Sequence, residues 1–104
     1  HHKQSLVEQL NTLLMKTLDI LKKDYETYCI LANHDFSFEF YHQIRDAIIY
    51  ELQQEFSLSA ETHRRLHLLI GGFMMLLREW LQKGNFESMD EYAQTMSTLI
   101  TENL

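Results

Sequence analysis

Proline is absent from this 104-residue sequence, and glycine occurs only three times. Both residues punctuate structure, so a chain nearly free of them can run in long helices. A β-sandwich or barrel needs a turn signal about every 8–12 residues, and the sequence does not carry that many. Cysteine occurs once, at Cys29, which excludes an intrachain disulfide and with it the stapled fold of small secreted domains. Basic residues are few. Nine Lys and Arg stand against fifteen Asp and Glu, for a net charge of −6. Nothing basic follows Lys83, whereas Glu87, Asp90, Glu91 and Glu102 do. Gripping a nucleic acid takes clustered Lys and Arg to replace the counterions on phosphate, and the largest clusters here are the pairs Lys22-Lys23 and Arg64-Arg65. These residues are therefore not expected to hold DNA or RNA themselves, nor an anionic membrane surface. The longest nearly apolar run, Leu68 to Leu77, is about half of a membrane span. No basic start followed by an apolar stretch marks a secretory leader, and a cytoplasmic location is expected.

What is present is helical patterning. The length suits one domain, and 45% hydrophobic residues with 23% charged ones belong to a folded rather than a disordered chain. His1-His2 reads as the end of a purification tag, which leaves 3–104 as the domain. Leu6, Leu10, Leu13, Leu14, Leu18 and Leu21 make one stripe at the helical period, closed by Lys22-Lys23, so a first helix is expected over 4–23. A short helix follows from Tyr25 to Ala32, with Tyr25, Tyr28, Cys29 and Ala32 on one side. Asn33-His34-Asp35 breaks the chain, with Asp35 as the next N-cap. Phe36, Phe40, Ile44, Ala47, Ile48 and Leu52 predict a third helix ending near Phe56. Ser59 is a good N-cap, and Glu61 opposes the dipole of a fourth helix over 60–83 that Gly84 stops. Ser88-Met89-Asp90-Glu91 matches a capping box and opens a last helix striped by Met89, Tyr92, Ala93, Met96, Leu99 and Ile100. The expectation is an all-α bundle of five helices.

The fourth helix is unlike the others. Leu66 to Leu81 is apolar on nearly all sides, and such a helix must be covered all round. Four short elements can cover one side of it. The other side then marks a partner site, unless the helix lies at the centre of its own small bundle. Gly71-Gly72 inside it costs about 2 kcal/mol relative to alanines. Such glycines let another backbone come close or leave room for a large side chain, or else mark a tolerated kink. Trp80 lies two turns after Phe73 on the same face, with Leu77 and Leu81 nearby.

The run from Leu69-Ile70-Gly71-Gly72-Phe73 through Arg78-Glu79-Trp80-Leu81 to Gly84, followed by Ser88-Met89-Asp90-Glu91-Tyr92-Ala93, resembles the C-terminal domain of tetracycline-repressor (TetR) family transcriptional regulators, in the variety common in Firmicutes. Tyr25-Glu26-Thr27-Tyr28-Cys29-Ile30-Leu31 and the helix from Phe36 to Leu52 also fit that family's order of elements. The likeness spans most of residues 20–102. It implies a homodimer in which the helices at 60–83 and 88–103 join those of a second subunit in a four-helix interface. The interface residues it points to are Leu66, Ile70, Phe73, Met74, Leu77, Trp80, Tyr92, Met96, Leu99 and Ile100. It also implies an effector pocket, for which Tyr25, Tyr28, Cys29, Phe40, Tyr41 and Ile44 are the candidates, with core packing as the plainer role for each. Operator DNA, in that family, is held by an N-terminal helix-turn-helix domain that is absent from these residues. The helix at 4–23 would link the two parts. On this reading Phe73→Asp or Leu77→Asp disrupts the dimer or the fold.

Other chemistries leave fainter marks. His63 and His67 share a helix face at a spacing that can hold zinc, without an evident third ligand. The Glu-x-x-His signature of di-iron bundles occurs once, at Glu39 and His42, and His34 with Asp35 is a further possible ligand pair. Cys29 has no flanking His or glycine-rich turn that would make it a nucleophile, and reads as a small buried hydrophobe. No enzyme activity, metal or cofactor is expected. The alternative to a regulatory domain is a standalone helical adaptor that takes a partner helix in an apolar groove.

Overall fold

The computed structural model describes residues 2–34, 37–83 and 88–104, without the side chains of residues 2–4, 37 and 89. Helix α1 (His2–Lys23) stops at Asp24, and α2 (Tyr25–Ala32) restarts at once. The carbonyl of Asp24 accepts the first bond of α2 from the Tyr28 amide. Helices α3 (Ser37–Glu55), α4 (Ala60–Lys83) and α5 (Met89–Asn103) complete an all-α bundle with no strand among the described residues. Asp35, Phe36 and Gly84, expected as a cap, a stripe residue and a stop, lie outside the described residues.

Local chemistry sets two of the helix starts. The Ser59 Oγ accepts the Thr62 amide at 3.1 Å, and the Ser88 Oγ accepts the Glu91 amide at 3.1 Å. Each satisfies an N–H that the first turn leaves without an intrahelical acceptor. Asp90 and Glu91 add negative charge at the start of α5, where the helix dipole favours it. Replacing Ser88 with alanine is expected to lower stability by about 1 kcal/mol, a loss that urea denaturation followed by circular dichroism would register.

Packing places α4 against α2, α3 and α5, while α1 closes the bundle against α2, α3 and α5. From α1 the core takes Leu6, Val7, Leu10, Leu14, Leu18 and Leu21. From α4 it takes Leu66, Ile70, Phe73, Met74, Leu77, Trp80 and Leu81. Aromatic rings hold the α2, α4 and α5 corner. The Trp80 ring meets Tyr25 edge-on at 5.5 Å and stacks with Tyr92 at 6.0 Å. The buried Tyr92 hydroxyl donates to the Phe73 carbonyl at 2.8 Å, and the Gln82 amide donates to the Ala32 carbonyl at the end of α2 at 2.9 Å. A buried hydroxyl needs such a partner, so Tyr92 both fills the core and fixes α5 along α4.

One face departs from expectation. On α3 the buried residues are Tyr41, Ile48, Ile49 and Leu52, while Phe40 and Ile44 are half-buried and Ala47 is exposed. The stripe through Phe40, Ile44 and Ala47 lies at the edge of the core, against which Phe40 and Ile44 pack. It also lines a groove beside α1 and α2.

Candidate functional site

An apolar helix with neighbours on one side only must keep the other side open, and α4 does so. Leu68 is 77% exposed, whereas Leu66 and Ile70 two residues away are fully buried. Exposed positions recur at Glu61, Arg65, Leu68, Gly72, Met75, Leu76, Glu79 and Lys83, with half-buried Leu69 among them. All fall on one helical face, because each lies three, four, seven or eleven residues from Gly72. From Glu61 to Lys83 this face runs for about 33 Å at 1.5 Å per residue, along a molecule whose longest dimension is 39 Å. Exposed Leu99 of α5 continues it sideways. With Leu68, Leu69, Gly72 and Leu76 it lines a shallow depression of about 140 Å³.

The residues expected at a subunit interface are placed differently. Leu66, Ile70, Phe73, Met74, Leu77, Trp80, Tyr92, Met96 and Ile100 are buried within the chain, and of the ten only Leu99 is exposed. A side chain already out of water has no further apolar area to bury against a second subunit. The elements α4 and α5 do present an open apolar face, at Leu68, Gly72, Leu76 and Leu99, and Phe73, Met96 and Ile100 only border it. No described neighbour inside the chain requires Gly71 or Gly72. A Cβ built on either would meet nothing within 4 Å among the described residues.

The six residues expected around an effector separate into three places. Tyr25 packs on Trp80, and the neighbouring Cys29 thiol holds its phenol above the ordinary tyrosine pKa. Tyr28, Phe40 and Ile44 line the groove between α1, α2 and α3, a space of about 360 Å³ that also takes in Leu13, Lys16 and Ile20. Within it the Tyr28 and Phe40 rings stack at 5.9 Å. Tyr41 faces the other way, into a cavity of about 210 Å³ between α3 and α4.

That second cavity brings together residues that the sequence did not single out as a set. Phe38, His42 and Arg45 come from α3, and Gly71, Met74, Met75 and Arg78 from α4. Tyr41 is 2% exposed, and its hydroxyl is buried without a hydrogen-bond partner among the described residues. Burial pushes its pKa up to about 12, against the pull of the Arg78 charge. Arg45 is mostly covered and is held by the exposed carboxylate of Asp46 at 3.0 Å, while the His42 ring meets Phe38 edge-on at 4.4 Å. The i, i+4 spacing of Tyr41 and Arg45, and of Met74 and Arg78, was the only available signal, and it says nothing of which helices meet.

Of the ligand-like polar residues, His42 lines this cavity. The His63 and His67 rings lie 5.6 Å apart on α4, and Glu39 is exposed on α3. His34 is exposed, and its neighbour Asp35 lies outside the described residues. Among the described residues no three His, Cys, Asp or Glu side chains converge on a common point, and no helix is long and apolar enough to cross a membrane. Comparison with protein-family models, with curated proteins and with solved structures found no match.

Proposed function

We propose that the chain is the regulatory and dimerisation domain of a TetR-like transcriptional regulator, a cytoplasmic homodimer whose operator DNA is held by a domain outside these residues. The observation that carries this reading is the open face of α4. It is self-complementary under a two-fold axis through Gly72. Antiparallel pairing of two copies about that residue sets position 72 + k against position 72 − k. Leu76 then meets Leu68 of the partner subunit, and Met75 meets Leu69 of the partner subunit. Arg65 meets Glu79 of the partner subunit, and Glu61 meets Lys83 of the partner subunit. Apolar contacts sit at the centre and opposite charges at both ends, and every contact occurs twice, as a two-fold interface requires. Gly72 on the axis lets the two backbones approach, which accounts for a glycine that no described neighbour inside the chain demands. The same pattern favours a second copy over a foreign helix, because a foreign helix has no reason to match this register.

The cavity supplies the regulatory half. Gly71 and Met75 border it, and Gly72 and Met75 belong to the open face. One turn of α4 therefore separates a ligand from the subunit contact. A ligand that binds one pose of α4 more tightly than another shifts the pair of subunits by that difference in affinity.

Sedimentation equilibrium on the chain tests the dimer. Arg65→Glu and Glu79→Arg each set like charges together at two symmetry-related places, and each is expected to weaken association about tenfold, on the scale of surface ion pairs counted twice. The double variant restores the opposite-charge pairing and should recover most of the loss. A chain that stays monomeric at tens of micromolar, or a double variant no better than the singles, overturns this arrangement. The coding sequence upstream of Lys3 tests the regulatory role: a basic three-helix segment supports it, and a reading frame that closes at once leaves the adaptor.

A further inference from the structure

We propose that the groove between α1, α2 and α3 binds an uncharged apolar small molecule about the size of two fused rings. The groove takes no lining residue from α4, so this inference goes beyond the dimer and the cavity between α3 and α4, and does not rest on either.

Two helices running in opposite directions build the groove. Leu6, near the start of α1, borders the same recess as Glu55 at the end of α3. At the other end Tyr28, just beyond α1, stacks on Phe40 near the start of α3. Between these ends α1 and α3 leave about 360 Å³ open. Leu21 and Ile48 are buried at its floor, while Leu13 and Ile44 are half-buried and Ile20 is 57% exposed. Apolar surface left in water at a concave place is covered from several sides by one occupant, and its burial supplies the affinity.

Size decides between kinds of occupant. From Phe40 to Glu51 the groove follows α3 for about 16 Å at 1.5 Å per residue. A partner helix of that length, about 10 Å across with its side chains, fills more than about 1,000 Å³. Such a helix would stand mostly outside the groove. The space falls instead in the range of small-molecule pockets, about 300–1,000 Å³. A cavity of about 150 Å³ holds benzene, so 360 Å³ takes two fused rings with a short substituent.

Charge decides the class. Lys16 on α1 and Glu51 on α3 are the only charged residues lining the groove. Their opposite charges cancel over the groove as a whole, which leaves no net attraction for an anion or a cation. An ionised group laid against the apolar wall would also lose hydration without recompense. The Thr17 hydroxyl already donates to the Leu13 carbonyl at 3.0 Å. A neutral body with one hydroxyl at the rim suits what remains, because the Lys16 ammonium donates and the Glu51 carboxylate accepts.

Three probes with one body test this: 2-naphthalenemethanol, 2-naphthoate and 2-naphthylmethylammonium, which are neutral, anionic and cationic at neutral pH. Binding is followed by calorimetry and by the shift of the melting temperature. The alcohol is expected to bind with Kd below about 1 mM, and about tenfold or more tighter than either ion. Ala47→Trp is the blocking variant. Ala47 lines the groove from an exposed position, so an indole there fills the space without entering the core. Helicity should match wild type, while the alcohol binds about tenfold or more weaker. Glu51→Gln leaves the Lys16 charge unopposed and should tighten naphthoate about threefold, on the scale of a surface charge pair, with the alcohol unchanged. No binding of the alcohol at about 1 mM overturns the proposal, as does an ion that binds equally well. Unchanged alcohol affinity in Ala47→Trp places the molecule elsewhere and overturns it too. A dimer lost in Ala47→Trp with helicity intact makes the groove a contact between copies, which also overturns the proposal.

Discussion

Leu77→Asp is expected to unfold the chain. Leu77 is fully buried on the inner face of α4, where that helix packs on its neighbours. Loss of the leucine side chain alone costs about 2–5 kcal/mol. The carboxylate adds several more, since a buried charge without a partner keeps little of its hydration. A domain of this size holds together by only about 5–15 kcal/mol, so the sum approaches or exceeds the whole margin. Far-UV circular dichroism at pH 7 should show lost helicity and no cooperative urea transition. The sign of the pH dependence follows from the burial. An aspartate in that position has a folded-state pKa raised above its unfolded value of about 3.9, so the penalty is absent below that value and grows as pH rises through the folded pKa. Helicity should therefore recover in part on acidification. Cooperative unfolding of Leu77→Asp at neutral pH, with wild-type helicity, would mean that this side chain is not where the packing puts it. Phe73→Asp belongs to the same class, with 2% exposure. Both changes act through the fold first, rather than through a subunit contact.

One position earlier, the same substitution should have a different effect. Leu76 is 45% exposed, so Leu76→Asp is expected to leave the isolated fold within about 0.5 kcal/mol of wild type, as surface changes do. In the proposed dimer, Leu76 faces Leu68 of the partner subunit, and the two-fold axis repeats that contact. Each leucine removed forfeits up to about 1.5–3 kcal/mol of apolar burial, and each new carboxylate faces an apolar surface. The combined loss weakens the dimer by about a thousandfold at 1.4 kcal/mol per tenfold. Gly72→Ala should separate folding from association further. Relieving a mid-helix glycine stabilises α4 by up to about 1 kcal/mol, and no described atom inside the chain obstructs the added methyl group. On the two-fold axis that methyl group holds the backbones apart, so association should weaken while the melting temperature of dilute protein rises. Sedimentation equilibrium paired with circular dichroism reads both quantities. Leu76→Asp chains that remain dimeric would place the subunit contact elsewhere.

The contrast between Leu76 and Leu77 shows where sequence patterning loses its power. The helices were legible residue by residue. Leu6, Leu10, Leu14, Leu18 and Leu21 repeat at the period of one face, and all five are buried. Ser59 and Ser88 cap where their side chains stand one turn ahead of a free amide. Such signals act within a turn or two, so their physics is complete in the local sequence. On α4 the period carries no such information, because Leu66, Leu68, Leu69, Ile70, Met75, Leu76 and Leu77 are apolar in every direction. The stretch from Leu66 to Leu77 has no polar side and so no intrinsic inner face, and only the charges nearer the ends of α4 mark one. Its orientation follows from what it meets: α2, α3 and α5 took the side with Leu66, Ile70, Phe73, Leu77 and Trp80, and the side with Leu68, Gly72 and Leu76 remained.

The candidate site divides in the same way. That apolar and aromatic residues of the second and third helices border open spaces could be anticipated for Tyr28, Phe40, Tyr41 and Ile44. That Phe40 and Tyr41 open onto different spaces could not, although adjacent residues on a helix stand about 100° apart. Arg45 and Arg78 are more than thirty positions apart in sequence. Each alone reads as a solvated charge, and they become a pair only when α3 lies along α4. Helical class, helix limits and caps are thus written in short stretches of chain, because hydrogen bonds and rotamers within a turn decide them. Which faces meet, which apolar strip stays open and which charges share a cavity depend on contacts between distant segments, and those exist only once the bundle has closed.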